Sequence, residues 1–393
     1  MKKFIAIGLV MLMMLSMCAC GGEKAGNETQ EQPQEKIEVP YPLDQYNLDA
    51  YIQPYWDNQV MYQESVMVLE NEDGTVSDIP LLYHADAIVS VRSSDLRTEY
   101  QEGTDYTLVD GKLHIPEGSA VTRVAYRDYY PVTQTDKSMA LNPNYGFGYI
   151  FYSEGAVLHS MQIAVTYTHS DPYTGNIPAY KGDSLPKTRA KIANNEQLEI
   201  VVLGDSISTG LNSSGKVGAQ PMAQTWFEMF ETKLRQDHNL DNFTLYNPSV
   251  SGKKSDWGAQ EAPNAVSATT DLCIIAFGMN DGTKQYMPQY YQSNIRSIMD
   301  TARRANPDCE FVLIATMLPN QEAADFYGNQ KELLPALLEL EGEGVVVADM
   351  TTFHEGLLAQ KRYYDMTGNN VNHPNDFVAR AYAQVLWQTV IGY

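Results

Sequence analysis

The sequence predicts an α/β fold in which an all-β region precedes a parallel sheet covered by helices. Two observations carry this prediction. In residues 46–190, apolar and polar residues alternate between turn signals, and helical periodicity is absent. After Leu198, short apolar runs typical of buried strands alternate with amphipathic helical patterns, so we assign residues 191–393 to a second domain. A polar and basic connector at residues 185–194 marks the expected boundary.

The N-terminus predicts export. Two lysines precede an apolar run from Phe4 to Met17 that is too short to span a bilayer, and the small residues and cysteines of CACGG follow. This layout is typical of a secretory signal at residues 1–20. It also resembles a bacterial lipoprotein signal, with Cys20 as the lipidated residue and Cys18 as the alternative. We therefore expect an exported protein, anchored by lipid to the membrane at the bacterial cell surface. Plain secretion is the alternative.

Composition limits the partners. The chain has 393 residues, 44% of them hydrophobic, which suffices for two domains with their own cores. Residues 21–45 are rich in Glu, Gln, Asn and Pro and predict a disordered tether. A formal charge of −22 argues against nucleic acid as a partner. Cys273 and Cys309 lie in apolar runs and read as core residues, and no metal-ligand spacing or phosphate-binding glycine loop occurs, so we expect no metal and no cofactor.

The first domain reads as an antiparallel, jelly-roll-like sandwich. Asp73-Gly74 and Asp110-Gly111 each separate two apolar runs, which is a hairpin signal. Between Met161 and Tyr167, apolar and polar residues alternate, which predicts one face in a core and one in water. Tyrosines are frequent in RDYYP and NPNYGFGYIFY. They either present flat faces on which sugar rings stack, or are half-buried strand residues.

The second domain contains five strand-and-helix units. Its strands are predicted in IVVL, FTLYN, LCIIAFG, FVLIAT and VVVAD, and the last helix follows Pro374. Strict alternation with right-handed crossovers predicts a doubly wound parallel sheet covered by helices.

Four residues follow strand ends or precede the last helix. Ser206 follows the first strand, Gly252 the second and Asn280 the third, while His373 lies just before the last helix. The carboxyl ends of parallel strands share one edge, so these residues should converge. A serine, a histidine base and amide donors for a developing oxyanion are what acyl transfer requires. Taken singly, each residue is equally well explained as part of a turn, a loop or a helix start.

The blocks GDSIS, GMND and NHPND, with the loop around Gly252, resemble the SGNH (GDSL-type) hydrolases over residues 198–393. The resemblance implies a flavodoxin-like three-layer α/β/α domain and carboxylic ester hydrolysis. It implies Ser206 as nucleophile, His373 as base, and the Ser206 N–H, Gly252 and Asn280 as oxyanion hole. A β-domain ahead of such a domain is similar to the arrangement in carbohydrate esterase family 2.

One position departs from that pattern, because Asn370 stands where the family usually has the aspartate that orients the histidine. Replacing this aspartate by asparagine in the serine-protease template costs about 10⁴ in rate. Three substitutes are open: a backbone carbonyl, the side-chain carbonyl of Asn370, or the carboxylate of Asp365 or Asp376. Asp376 is also simply explained by the first turn of the last helix.

These observations predict a serine esterase that removes small acyl groups, chiefly acetyl, from an oligosaccharide or polysaccharide through an acyl-serine intermediate. One alternative is a lipase or thioesterase of the same family. The other is a glycan-binding lipoprotein whose catalytic site has decayed at Asn370.

Overall fold

The computed structural model describes residues 38–238 and 242–393, and residues 38–393 belong to one compact unit. The predicted signal peptide at residues 1–20, the lipidation site Cys20 and most of the tether at residues 21–45 lie outside the described residues. Within the described ranges, no helix has the length and apolar character needed to cross a membrane.

The N-terminal region is built from short elements around one antiparallel sheet. In chain order they are α1 (Leu48–Tyr51), β1 (Val60–Met67), β2 (Ala87–Ser93), β3 (Glu99–Tyr100), β4 (Thr107–Val109), β5 (Lys112–His114), α2 (Tyr126–Tyr129), β6 (Ser138–Ala140), β7 (Tyr149–Phe151), α3 (Val157–Ser160) and β8 (Gln162–Thr168). The sheet has four strands in the order β1-β8-β2-β3, while β4-β5 and β6-β7 form separate two-stranded ribbons.

The predicted jelly-roll-like sandwich is not confirmed. The Asp110-Gly111 hairpin does form, with φ of 48° and 66° at its two turn residues between β4 and β5. However, β4, β5, β6 and β7 have only three residues each, and their ribbons do not join into a second sheet that could pack face to face with the first.

The prediction of a water-facing side for β8 is wrong, because β8 is central in its sheet and its first six residues are buried. The polar face is covered by the C-terminal part of the chain. Gln162 donates through Nε2 to the carbonyl oxygens of Tyr364 (2.8 Å) and Thr367 (3.0 Å). Alternation along a strand shows that its faces differ, and here the polar face meets polar backbone of the protein instead of solvent.

The connector forms helix α4 (Pro186–Ala193). One hydrophobic core cluster includes residues from both sides of it, such as Tyr167 and Phe377. The division at residues 190 and 191 therefore stays a prediction of the sequence.

The second region is the predicted doubly wound sheet. Its elements are β9 (Leu198–Gly204), α5 (Trp226–His238), β10 (Phe243–Tyr246), α6 (Ser255–Ala265), β11 (Leu272–Ala276), α7 (Met279–Thr283), α8 (Pro288–Ala305), β12 (Glu310–Ala315), α9 (Leu334–Leu338), β13 (Val345–Asp349), α10 (Met350–Leu358) and α11 (Asp376–Val390). The five strands are parallel in the order β10-β9-β11-β12-β13. This is the flavodoxin-like order.

Both faces of this sheet are buried. In β9, Ile200 and Val202 belong to one core cluster and Val201 and Leu203 to another. Alternate residues of one strand therefore pack into helical layers on opposite sides, which gives three layers. Cys273 and Cys309 are buried in the second cluster, as expected for core residues, and form no disulfide within the described residues.

Candidate active site

Ser206 lies in the tight turn that ends β9. A Cβ on Gly204 would lie 2.6 Å from the carbonyl oxygen of Ala276, so only glycine fits where β9 passes β11. The Asp205 carboxylate accepts the N–H of Ile207 (3.0 Å), which closes the turn around Ser206. The sequence Gly-Asp-Ser thus places the hydroxyl at the carboxyl edge of the sheet.

His373 is held by its own loop, between α10 and α11. Its carbonyl oxygen accepts the Thr367 hydroxyl (2.9 Å), and its N–H donates to Asn369 Oδ1 (3.0 Å). These contacts direct the imidazole toward β9, where Nε2 lies 2.9 Å from Ser206 Oγ. The structure therefore brings together the nucleophile and the base predicted from the sequence.

The other ring nitrogen has side-chain partners that the sequence did not predict. His373 Nδ1 lies 2.8 Å from Asn212 Oδ1 and 3.3 Å from Glu154 Oε2. When Nε2 accepts the serine proton, Nδ1 carries the hydrogen and donates to these oxygens. The Asn369 amide nitrogen is also 2.9 Å from Nδ1, but it lies within donating distance of two oxygen acceptors, one on Glu154 and one on Asn372 (3.0 Å each).

Asn370 does not orient the histidine. Its φ is 71°, and its side chain bridges Tyr129, whose hydroxyl donates to Oδ1 (2.9 Å), and Phe151, whose carbonyl accepts from Nδ2 (2.8 Å). Asp365 accepts the N–H of Met67 (2.7 Å), and Asp376 accepts that of Ser214 (2.8 Å). In the part of the chain that the structure describes, Nδ1 has no backbone carbonyl partner either, so each of the three substitutes considered from the sequence is replaced by Asn212 and Glu154.

Gly252 lies in the loop between β10 and α6, and Asn280 lies in the first turn of α7. Asn280 Nδ2 donates to the carbonyl of Lys253 (2.9 Å) and lies 3.4 Å from Asp205 Oδ2. Gly252 has φ of 75°, and the space where its Cβ would lie is open. The loop, the turn and Asn280 are thus linked, and the oxyanion roles of Gly252 and Asn280 stay predictions.

Comparison with known proteins agrees with this arrangement. Residues 202–381 match the model of the GDSL-like Lipase/Acylhydrolase family. This part of the chain is similar to that family. The predicted resemblance to GDSL-type hydrolases is therefore confirmed for the acylhydrolase domain.

Three of the similar proteins are named as esterases. An arylesterase of Vibrio mimicus is 29% identical over 108 residues, which are 27% of this chain and 50% of the relative, so the chain spans about half of that relative. A solved two-domain esterase active on acetylated mannans, co-crystallised with mannopentaose, is 19% identical with a TM-score of 0.42, and the match covers 53% of each chain. The acetyl xylan esterase AlAXEase is 15% identical with a TM-score of 0.39, over 49% of this chain and 100% of the other.

Two carboxylates lie beside the Ser206–His373 pair. Burial raises the pKa of Asp205 to about 7, against the hydrogen bond from Ile207 that lowers it. Partial burial would also raise the pKa of Glu154, but the hydrogen bond and positive charge of His373, with hydrogen bonds from Asn369 and Tyr152, outweigh it and lower the pKa to about 2. Among the residues that the structure describes, no group of three or more His, Cys, Asp or Glu side chains is placed to hold a metal ion.

Proposed function

We propose that the protein is a serine esterase that removes acetyl groups from carbohydrate. The observation that carries the proposal is the 2.9 Å contact between Ser206 Oγ and His373 Nε2 at the carboxyl edge of a GDSL-like acylhydrolase sheet. A hydroxyl hydrogen-bonded to an imidazole is the arrangement that activates serine for attack on an ester.

The reaction runs in two halves. Ser206 Oγ attacks the ester carbonyl carbon while His373 Nε2 takes the hydroxyl proton, and the carbonyl oxygen becomes an oxyanion. In the described ranges the N–H groups of Ser206 and Gly252 have no acceptor, so both are available to that oxyanion, whereas the Asn280 amide would first have to release the Lys253 carbonyl. The bond to the sugar oxygen then breaks, and His373 returns the proton to that oxygen.

Water completes the cycle. His373 removes a proton from water as the water oxygen attacks the acetyl-serine carbonyl. The second tetrahedral intermediate breaks its bond to Ser206 Oγ, which recovers a proton from His373 as acetate leaves. Neither half needs a cofactor.

A carbohydrate substrate is supported by an aromatic cleft of about 450 Å³ that is lined by the N-terminal region and Glu322. Five of its lining residues are aromatic, namely Tyr126, Tyr130, Tyr145, Phe147 and Tyr149. Phe147 is 99% exposed and Tyr145 is 51% exposed, so their ring faces are open to a ligand. Aromatic faces with polar groups at the rim suit sugar rings, and here Glu322, which accepts the Tyr130 hydroxyl at 2.7 Å, supplies that rim.

The cleft is connected to the histidine loop on two sides. Strand β7 leads from Tyr149 to Glu154, which contacts His373. Asn320, two residues before Glu322, donates to the backbone carbonyl of Asn370 (2.8 Å). In this proposal, a glycan bound in the cleft extends toward Ser206 and presents its acetyl group to the hydroxyl.

We also propose that the enzyme works at the bacterial cell surface, held by a lipid on Cys20. The support is the sequence alone: a basic start, an apolar run and Ala19-Cys20. Labelling with a radioactive fatty acid that persists in Cys20→Ser would contradict this anchor.

The esterase proposal is tested with Ser206→Ala. We expect hydrolysis of p-nitrophenyl acetate and acetate release from acetylated mannan and xylan to fall by about 10³-fold or more, because no other group replaces the nucleophile. Ser208→Ala is the matched control, since Ser208 is a buried serine of the same turn whose hydroxyl has no hydrogen-bond partner among the described residues. Turnover that survives in Ser206→Ala would refute the mechanism.

A further inference from the structure

Glu154 comes from outside the acylhydrolase domain. It lies in the loop between β7 and α3 of the N-terminal region, 219 residues before His373 in the sequence. Its Oε1 accepts the hydroxyl of Tyr152 (2.9 Å) and the amide of Asn369 (3.0 Å). With Oε1 occupied in this way, Oε2 faces His373 Nδ1 at 3.3 Å.

Asn212 is the nearer acceptor and it is fixed in place. It is 2% exposed, and its Nδ2 donates to the carbonyl oxygens of Gly155 and Gly368 (3.1 Å each). Because the nitrogen end is used by two carbonyls, the oxygen end must point to His373 Nδ1. A neutral amide holds the ring and its tautomer, but it offers little charge to stabilise the imidazolium that forms when Ser206 loses its proton.

We propose that Glu154 is the carboxylate that supports His373 in place of the aspartate missing at position 370, so that the N-terminal region completes the catalytic centre. In this proposal, Asn212 orients the imidazole ring and Glu154 stabilises its charged form. This inference rests on the proposed esterase function and concerns a positioning residue, since Glu154 acts through His373.

The positions of the carboxylates around the His373 imidazole support Glu154 as its partner. Asp205 lies beside Ser206 but bonds to Ile207, and Asp376 at the start of α11 bonds to Ser214. Of the carboxylates in residues 38–238 and 242–393, only Glu154 is within hydrogen-bond distance of the imidazole. Its side chain is 43% exposed, so water screens its charge and its effect should be smaller than that of a buried aspartate.

The test is Glu154→Gln, which keeps the shape and an accepting oxygen but removes the charge. With p-nitrophenyl acetate, we expect kcat to fall by about 10- to 100-fold, short of the 10⁴ seen for a buried aspartate, with KM nearly unchanged. The acid limb of the kcat/KM profile should move to lower pH by about 1 unit, because an imidazolium without its carboxylate loses its proton more easily. Glu117→Gln, an exposed carboxylate of the same region, is the control for loss of one charge.

The outcomes separate two failures. If the wild type is active and Ser206→Ala is not, but Glu154→Gln keeps the wild-type pH profile, Glu154 is only structural and this inference is wrong. If Ser206→Ala is as active as the wild type, the esterase proposal itself fails. Should Glu154→Gln not fold, Glu154→Asp tests the same point: the shorter side chain keeps the charge but withdraws it, so kcat should fall a few-fold and the acid limb should shift less. An unchanged kcat and profile in this variant would overturn the proposal.

Discussion

The two regions of the molecule contribute differently to the site where they meet. The parallel-sheet region supplies Ser206 and His373, the pair for which we propose the reaction, from the ends of its elements. The N-terminal region supplies Glu154 and most of the aromatic cleft. The two carboxylates beside the reacting pair show the contrast: burial raises the pKa of Asp205 to about 7, while contact with His373 lowers that of Glu154 to about 2. In the proposed mechanism, one region therefore builds the reaction centre, and the other adjusts it and shapes its access.

For Glu154 to reach His373, the N-terminal region and the parallel-sheet region must be held in a fixed arrangement. Buried ion pairs and hydrogen bonds of charged side chains between them provide this. Lys361, four residues before Asp365, pairs with Glu64 of β1, and both side chains are fully buried. Glu64 also accepts the backbone N–H of Leu82 (2.9 Å) and the hydroxyl of Tyr167 (2.6 Å). On the last helix, the guanidinium of buried Arg380 donates to the Tyr55 hydroxyl and the Tyr62 carbonyl (2.6 Å each). Misplaced regions would leave these charges unpaired, which is costly.

The largest effect on stability should come from breaking the Lys361–Glu64 ion pair at the junction between the two regions. Lys361→Met leaves Glu64 buried without its cation, and we expect the free energy of unfolding to fall by about 3–5 kcal/mol. Chemical denaturation measures this, and a single transition in the wild type would show that both regions unfold together. Lys331→Met is the matched control, because its pairing with Glu355 is on the surface and should contribute less than about 1 kcal/mol. Equal losses in the two variants would mean that the junction does not fix the regions to each other.

The sequence predicted the two regions unequally, for a physical reason. The parallel sheet and the convergence of Ser206 and His373 follow from local patterns, because parallel strands of one sheet must end at one edge, whereas the flavodoxin-like architecture was implied by the family resemblance. Glu154 in YSEGAV and Asn212 in GLNSSG carry no local signal, since their roles arise only when distant segments pack. The sequence contains one indirect indication. Because Asn370 replaces an aspartate, His373 Nδ1 needs another acceptor, but the sequence does not show which residue provides it.

A second prediction separates substrate binding from reaction. Phe147→Ala removes an exposed ring of the aromatic cleft, and we expect KM for acetylated oligosaccharides to rise by about 3- to 10-fold. Hydrolysis of p-nitrophenyl acetate should not change, because that ester has no sugar ring to occupy the cleft. Tyr290→Ala, which removes an exposed aromatic of α8 outside the cleft, is the control. An equal effect on both substrates would place Phe147 in the reaction centre or in folding, and the contrast between the regions would weaken.

The smallest expected effect concerns Asp205, which is 1% exposed at the carboxyl edge of the parallel sheet. The prediction tests whether water is excluded from its carboxylate. Because the folded-state pKa of Asp205 is raised from 3.8 to about 7, the folded protein holds a proton that the unfolded chain has lost between these values. The contribution of Asp205 to stability is therefore full below about pH 4 and declines as the pH rises to about 7. Asp205→Asn removes this decline and keeps an acceptor for Ile207, so at pH 8 the variant should be more stable than the wild type. The gain should be no more than about 1 kcal/mol, because the new amide faces the Asn280 amide.

Denaturation of Asp205→Asn and the wild type at pH 5 and pH 8 measures the difference in stability, with exposed Asp136→Asn as control. The prediction is wrong if the stability of the wild type does not decline between pH 5 and pH 8, or if Asp205→Asn shows the same decline. Either result would mean that water reaches the Asp205 carboxylate.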